Sequence, residues 1–183
     1  MIMKEKYWNK IMLITLLLVF VTAAPACAAK VKLTKLTPGH TYKAYDITGD
    51  NKKDTIKISG IKTEENVPAS MAAQYVTVTV NKKSSFTIYS YNGFDIRCMH
   101  KGKKGVLLAH TYAATAGSTV VLYRCLNDSW SEKSLSLDFY GVRKLSLSGK
   151  KLVLKGCKYV GGGTAIKRSY TFASLRKMLT ASV

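Results

Sequence analysis

The segment from Asp46 to Asp54 has the side chains and the spacing needed to hold a hard cation. It reads Asp-Ile-Thr-Gly-Asp-Asn-Lys-Lys-Asp, so oxygen-bearing side chains stand at the first, third, fifth and ninth positions. A tight loop turns such alternating residues toward one centre, where calcium takes oxygen ligands. The sequence therefore predicts one structural calcium ion. Its predicted ligands are the side chains of Asp46, Thr48, Asp50 and Asp54 and the backbone carbonyl of Lys52.

The same segment has a second interpretation that requires no metal. Asp and Asn side chains accept hydrogen bonds from the backbone of their own turn and thereby stabilise it. Asn51 stands where the loop must bend sharply, and asparagine tolerates the left-handed conformation that such a bend requires. An Asx-stabilised turn and a calcium loop therefore both fit this segment.

The run from Tyr45 to Ile58 resembles the Asp-x-Asn-Gly-Asp-Gly-x-x-Asp loop and following strand of FG-GAP/VCBS-type repeats. It looks most like the repeat-like domains in exported proteins of Gram-positive anaerobes. The turn and strand at 102–108 and the strand and loop at 120–130 are compatible with that layout. The resemblance implies a propeller-like or stacked-hairpin fold, calcium used for structure, and a binding role at the cell surface or outside the cell.

Residues that could carry out catalysis are few. The sequence has no Gly-x-Ser-x-Gly elbow, no His-Glu-x-x-His motif and no phosphate-binding loop. His110 with Cys98 or Cys125 is the remaining candidate nucleophile pair, since such partners meet in space rather than in sequence. A non-enzymatic binding or structural role is therefore favoured. A small secreted hydrolase or inhibitor is the alternative.

The N-terminus has the order of a secretory signal. Three lysines precede an apolar run at 11–21, and a stretch rich in alanine follows at 22–29. The apolar run is shorter than the roughly 18 residues that a membrane-spanning helix needs. We therefore expect residues 1–29 to be a signal peptide and the mature protein to be secreted or extracytoplasmic, with no transmembrane segment after cleavage. Lipidation at Cys27 is the alternative.

The chain has a large excess of positive charge. Its net charge is +19, and removing three lysines and one glutamate with residues 1–29 leaves +17. Such an excess attracts polyanions and also keeps a protein soluble. Outside a cell it favours anionic wall polymers or glycans as partners. No specific binding to nucleic acid is expected. The lysines are spread over many turns, so a solvated surface without a dedicated partner is the other interpretation.

Alternation of apolar and polar residues indicates strands along nearly the whole mature chain. The segments 75–80 and 86–91 predict one hairpin, and 142–147 with 152–154 predict another. Residues 30–183 are therefore expected to form a single all-β domain whose antiparallel hairpins build a sandwich or a propeller-like stack. Segment 174–179 fits either a short helix or a last strand. The expected core residues are Val76, Val78, Val80, Leu145, Leu147, Leu152 and Leu154.

Overall fold

A computed structural model of the protein describes residues 29–68, 71–113, 117–126, 128–158 and 163–178. These residues form thirteen strands and one short helix, and every strand pair is antiparallel. The all-β fold built from antiparallel hairpins is therefore confirmed. The predicted signal peptide at 1–29 lies, except for its last residue, outside the described residues, so its boundary stays a prediction.

The elements follow the chain in this order: β1 (Val31–Leu36), β2 (Thr41–Tyr42), β3 (Ile56–Ile58), β4 (Lys62–Thr63), β5 (Gln74–Val80), β6 (Ser84–Ser90), β7 (Phe94–Lys101), β8 (Lys104–Ala113), β9 (Gly117–Leu126), β10 (Ser129–Ser134), β11 (Gly141–Ser148), β12 (Lys151–Cys157), β13 (Ala165–Thr171) and α1 (Phe172–Met178).

The strands form three sheets. The central sheet has the order β1-β7-β8-β9-β10. The N-terminal sheet contains β2 to β6, in which β5 pairs with β3 and β4 along one side and with β6 along the other. The C-terminal sheet has the order β11-β12-β13. Each sheet is thus assembled largely from neighbours in the sequence.

The central sheet is covered on both faces. Val106 and Leu108 belong to a buried cluster shared with the C-terminal sheet and α1. Leu107 and Ala109, which alternate with them along β8, belong to a second cluster shared with the N-terminal sheet. Because successive residues of a strand point to opposite faces, these two clusters lie on opposite sides of the central sheet.

The predicted core residues are buried with one exception. Val76, Val78 and Val80 of β5 lie in the cluster of the N-terminal sheet, and Leu145, Leu152 and Leu154 lie in that of the C-terminal sheet. Leu147 is only half-buried, because it stands one residue before the end of β11, an edge strand, and pairs with Leu152 beside the exposed turn. The period of two thus located the core face correctly, while the strand end reduced burial.

Residues 174–178 of the segment that fitted either a helix or a strand belong to the helix α1, and Leu179 lies outside the described residues. Thr171 caps it, since its hydroxyl oxygen accepts a hydrogen bond of 3.0 Å from the backbone N–H of Ser174. Phe172 and Leu175 then share one face and are buried against the core. Capping and burial together explain why the chain leaves the strand conformation here.

Candidate functional site

The segment Asp46–Asp54 is a loop fastened at both ends. Its first residue pairs with the central sheet, because the Asp46 N–H donates to the Lys103 carbonyl (2.7 Å) and the Gly105 N–H donates to the Asp46 carbonyl (2.9 Å). Its last residue closes the loop, since the Asp54 N–H donates to the Tyr45 carbonyl (2.7 Å). The loop therefore bridges the central and N-terminal sheets.

The carboxylate of Asp54 organises the interior of this loop. It accepts hydrogen bonds from the backbone N–H groups of Ile47 (2.7 Å) and Thr48 (2.9 Å). It also accepts one from the Thr48 hydroxyl (3.1 Å) and one from the side-chain amide of Asn81 (2.8 Å) in the β5–β6 turn. Asp54 is only 1% exposed. Both of its oxygens thus serve as acceptors that hold the loop to a neighbouring hairpin.

The side chains of two other predicted ligands, Asp46 and Asp50, accept hydrogen bonds from the backbone of the same loop. Asp46 Oδ1 accepts a hydrogen bond from the Gly49 N–H (2.6 Å), and exposed Asp50 accepts one from the Lys52 N–H (2.7 Å). Asn51 has the expected left-handed conformation, with φ of 65°. Within the described residues, no three His, Cys, Asp or Glu side chains are grouped so that they could hold a metal ion. The visible geometry is that of an Asx-stabilised turn, and calcium stays a prediction.

One carboxylate oxygen of the loop stands apart from this network. Asp46 is fully buried, and its Oδ2 has no hydrogen-bond partner among the described residues. The carboxylate acts on Arg124: burial and neighbouring Arg176 lower the pKa of the Arg124 guanidinium, and Asp46 raises it. Asp46 is therefore the buried loop carboxylate with capacity left for a further polar partner.

The candidate nucleophile pair does not form. His110 on β8 lies on the same face of the central sheet as Leu108, toward the C-terminal sheet. Cys98 pairs with Leu107 and lies on the opposite face, and Cys125 shares that face with Tyr123. Both thiols are buried, free and separated from His110 by the sheet itself, and burial raises the pKa of the Cys98 thiol.

His110 belongs to a buried polar chain instead. Its Nε2 lies 3.0 Å from the Val142 carbonyl, which can only accept, so this nitrogen carries the proton. The Tyr112 hydroxyl lies 3.2 Å from Nδ1 and 3.3 Å from a carboxylate oxygen of Asp95. Burial lowers the pKa of His110, and the ring is 3% exposed. This arrangement ties β8 to β11 and leaves the ring closed to a substrate.

The outer face of the C-terminal sheet is basic. Lys144, Lys155 and Lys167 stand directly opposite one another on β11, β12 and β13, and all three are exposed. We call this set the lysine row. Like charges placed opposite each other on neighbouring strands destabilise a sheet. The row is therefore a feature that packing does not explain.

A second basic feature lies on the outer face of the N-terminal sheet. It is a shallow depression of about 410 Å³, which we call the lysine–threonine groove. Its lining residues are three lysines, three threonines and one asparagine: Thr41, Lys43, Thr55, Lys57, Thr79, Asn81 and Lys82. Residues two apart in an extended chain, such as Thr41 and Lys43 or Thr55 and Lys57, point to the same side, which the sequence alone indicates. The sequence does not show the register that brings the two pairs together.

The comparisons identify no relative of this protein. The chain matches no known protein family, and no curated protein or solved structure shows significant similarity to it. No helix within the described ranges is long and apolar enough to span a membrane. The site must therefore be interpreted from its own geometry.

Proposed function

We propose that this protein is a secreted or cell-surface β domain with a non-enzymatic role, and that it binds anionic wall polymers or glycans through its lysine surfaces. The observation that carries the proposal is that both covering sheets expose lysines on their outer faces, three of them in direct opposition in the lysine row. Neutral side chains in place of the lysine row would remove the repulsion between neighbouring strands. A polyanion lying across the lysine row would relieve it.

The charge balance supports this proposal. After removal of residues 1–29, 26 Lys and Arg residues face nine Asp and Glu residues. Asp46 and Asp54 are buried in their loop, and Asp95 already pairs with Lys35 and Arg97 at 2.7 and 3.2 Å. Internal ion pairs therefore cannot neutralise the excess. An external polyanion can do so while releasing its own counterions, which favours association.

The experiment is a salt titration of binding to purified wall polymer or to polyphosphate as a defined probe. The logarithm of the association constant should fall linearly and steeply with the logarithm of the salt concentration. Replacing the lysine row by glutamine should lower the magnitude of the slope by about one unit per lysine that contacts a phosphate. Absence of binding at about 50 mM salt, where electrostatic binding is strongest, would refute the proposal.

Calcium and the likeness to FG-GAP/VCBS-type repeats remain part of the proposal. Asp46 Oδ2 supports calcium, because a buried carboxylate oxygen without a hydrogen-bond partner is costly unless it meets a cation or water. The role proposed for the ion is structural, since the loop joins two sheets and lies apart from the lysine row and His110. Its test is the dependence of the melting temperature on calcium concentration.

A further inference from the structure

The lysine–threonine groove has an ordered construction. Thr41 pairs with Lys57, and Lys57 pairs with Thr79, so these three residues form one row across β2, β3 and β5 on the outer face. Lys43, one residue after the end of β2, and Thr55, one residue before β3, also line the groove. The opposite face of the same strands carries Ile56, Ile58, Val78 and Val80, which are buried in the core.

The β5–β6 turn completes the groove and holds one of its lysines in place. Asn81 and Lys82 both have left-handed backbones, with φ of 52° and 58°. This pair of conformations is that of a tight hairpin turn matched to strand twist. Asn81 Oδ1 accepts a hydrogen bond of 2.9 Å from the Thr55 N–H, and its amide donates to Asp54. Lys82 is therefore presented by a turn that is tied to the segment preceding β3.

The chemistry of the lining selects the kind of anion. The lining residues include three lysines and three threonines and no acidic residue or arginine. A guanidinium fork binds carboxylate and phosphate alike through two parallel hydrogen bonds, whereas lysine acts as a point charge. Several point charges around one depression can each meet a different oxygen of a tetrahedral phosphate, whereas a planar carboxylate offers only two oxygens. Threonine hydroxyls add donors that rotate to suit the anion. Three lysines and three threonines around one depression thus fit a tetrahedral phosphate ester better than a carboxylate.

The size of the groove indicates more than a bare ion. A volume of about 410 Å³ falls at the lower end of the range for small-molecule sites, which begins at about 300 Å³. A single phosphate group would leave much of this space empty. A phosphate together with the polyol or sugar on either side of it would fill more of the groove.

We infer that the lysine–threonine groove binds one phosphate-bearing repeat of a phosphodiester-linked polymer. This inference rests on the proposed function and adds a specific binding site to it. The lysine row then supplies general attraction to any polyanion, and the groove distinguishes phosphate from carboxylate polymers. The two surfaces carry equal numbers of lysines, three each, so the chain contains its own matched control.

The first test compares two triple variants of the full chain on two polymers. One variant replaces Lys43, Lys57 and Lys82 by Gln, and the other replaces Lys144, Lys155 and Lys167 by Gln. Binding to polyphosphate and to polygalacturonate, a carboxylate polymer, is measured by calorimetry at about physiological salt. We expect equal losses on polygalacturonate, and a loss on polyphosphate that is at least about tenfold greater for the groove variant.

The second test leaves the charge unchanged. Replacing Thr41 and Thr79 by Val removes two hydroxyls of the groove, and replacing Thr111 and Thr119 by Val removes a cross-strand pair elsewhere, whose hydroxyls lie 2.8 Å apart. The groove variant should lose about tenfold in polyphosphate affinity and nothing on polygalacturonate. The control should bind both polymers as the unaltered chain does.

The outcomes distinguish a failure of the groove as a phosphate site from a failure of the proposed function. If both triple variants lose affinity equally on both polymers, the groove is not a specific binding site. The same follows if the groove threonine variant binds polyphosphate as the unaltered chain does. In either case the proposed function stands. If the unaltered chain binds neither polymer, the proposed function fails and the inference fails with it. Melting curves of all variants identify any loss of affinity that comes from unfolding.

Discussion

Asp54 stands inside the loop that joins the N-terminal and central sheets, where its two oxygens accept four hydrogen bonds. Replacing it by Ala would leave two backbone N–H groups and the Asn81 amide without their acceptor. We expect a loss of about 3 kcal/mol in the free energy of unfolding, measured by chemical denaturation. Asp50→Ala is the matched control, because Asp50 is exposed and accepts one local hydrogen bond. A cost below about 1 kcal/mol for Asp54→Ala would contradict this role.

Calcium at the same loop is tested by the melting temperature. If the ion binds the folded loop and not the unfolded chain, stability rises with the logarithm of calcium concentration above the dissociation constant. We expect such a rise at about 0.1 to 1 mM calcium, the range of extracellular sites, and its disappearance in Asp50→Ala. A melting curve that is indifferent to both millimolar calcium and a chelator would leave the Asx-stabilised turn as the sole interpretation.

His110 should make the stability depend on pH. Burial lowers the pKa of the folded ring below about 6.5, its value in an unfolded chain; nearby Asp95 opposes this effect and Arg97 adds to it. Between the two pKa values the unfolded chain binds more protons, so this contribution to stability is complete above pH 6.5 and is lost as the pH falls through the folded pKa.

The measurement is the free energy of unfolding between pH 7.5 and about 4.5 for the protein and for His110→Gln. The His110 contribution should have a slope of up to about 1.4 kcal/mol per pH unit in the window below pH 6.5. The variant should lack that component while other groups titrate as before. Identical pH profiles for the two proteins would show that folding does not lower the pKa of His110.

At the scale of elements, α1 stabilises the molecule through its buried face. Leu175 is fully buried in the cluster that the central and C-terminal sheets share. Leu175→Ala should cost about 2 to 5 kcal/mol in the free energy of unfolding, because it leaves a cavity between two sheets. Leu137→Ala is the control, since Leu137 is 83% exposed and should change stability by less than about 0.5 kcal/mol. Equal effects of the two substitutions would mean that α1 is not docked as described.

The elements also show how far the sequence leads. The period of two located strands because one side of each strand must be apolar to meet another layer. The residues from Tyr42 to Tyr45 also predict a strand, whereas β2 ends at Tyr42. The reason is tertiary: Tyr45 accepts a hydrogen bond from Asp54, and Asp46 pairs with the central sheet. Contacts of this kind are fixed by the whole fold and leave no local trace in the sequence.

One of the candidate sites could be predicted from the sequence and the other could not. The Asp46–Asp54 loop could be recognised from its sequence, because its side chains act on their own local backbone. The groove could not, because Thr41, Lys57 and Thr79 come together only through the register of three strands. Nor did the sequence show that His110 and Cys98 lie on opposite faces of the sheet, since that depends on the register of β7 against β8.

At the scale of the whole molecule, the central sheet is enclosed by a layer on each side, and this has a kinetic consequence for its amide hydrogens. Strands β7, β8 and β9 can exchange their protons with solvent only when they part from both neighbouring layers or when the molecule opens entirely. We expect their amides to exchange most slowly in hydrogen–deuterium exchange mass spectrometry. Amides of β2, β4 and β13, which are short or lie at sheet edges, should exchange orders of magnitude faster. Uniform exchange over all three sheets would indicate that the layers open together as one cooperative unit.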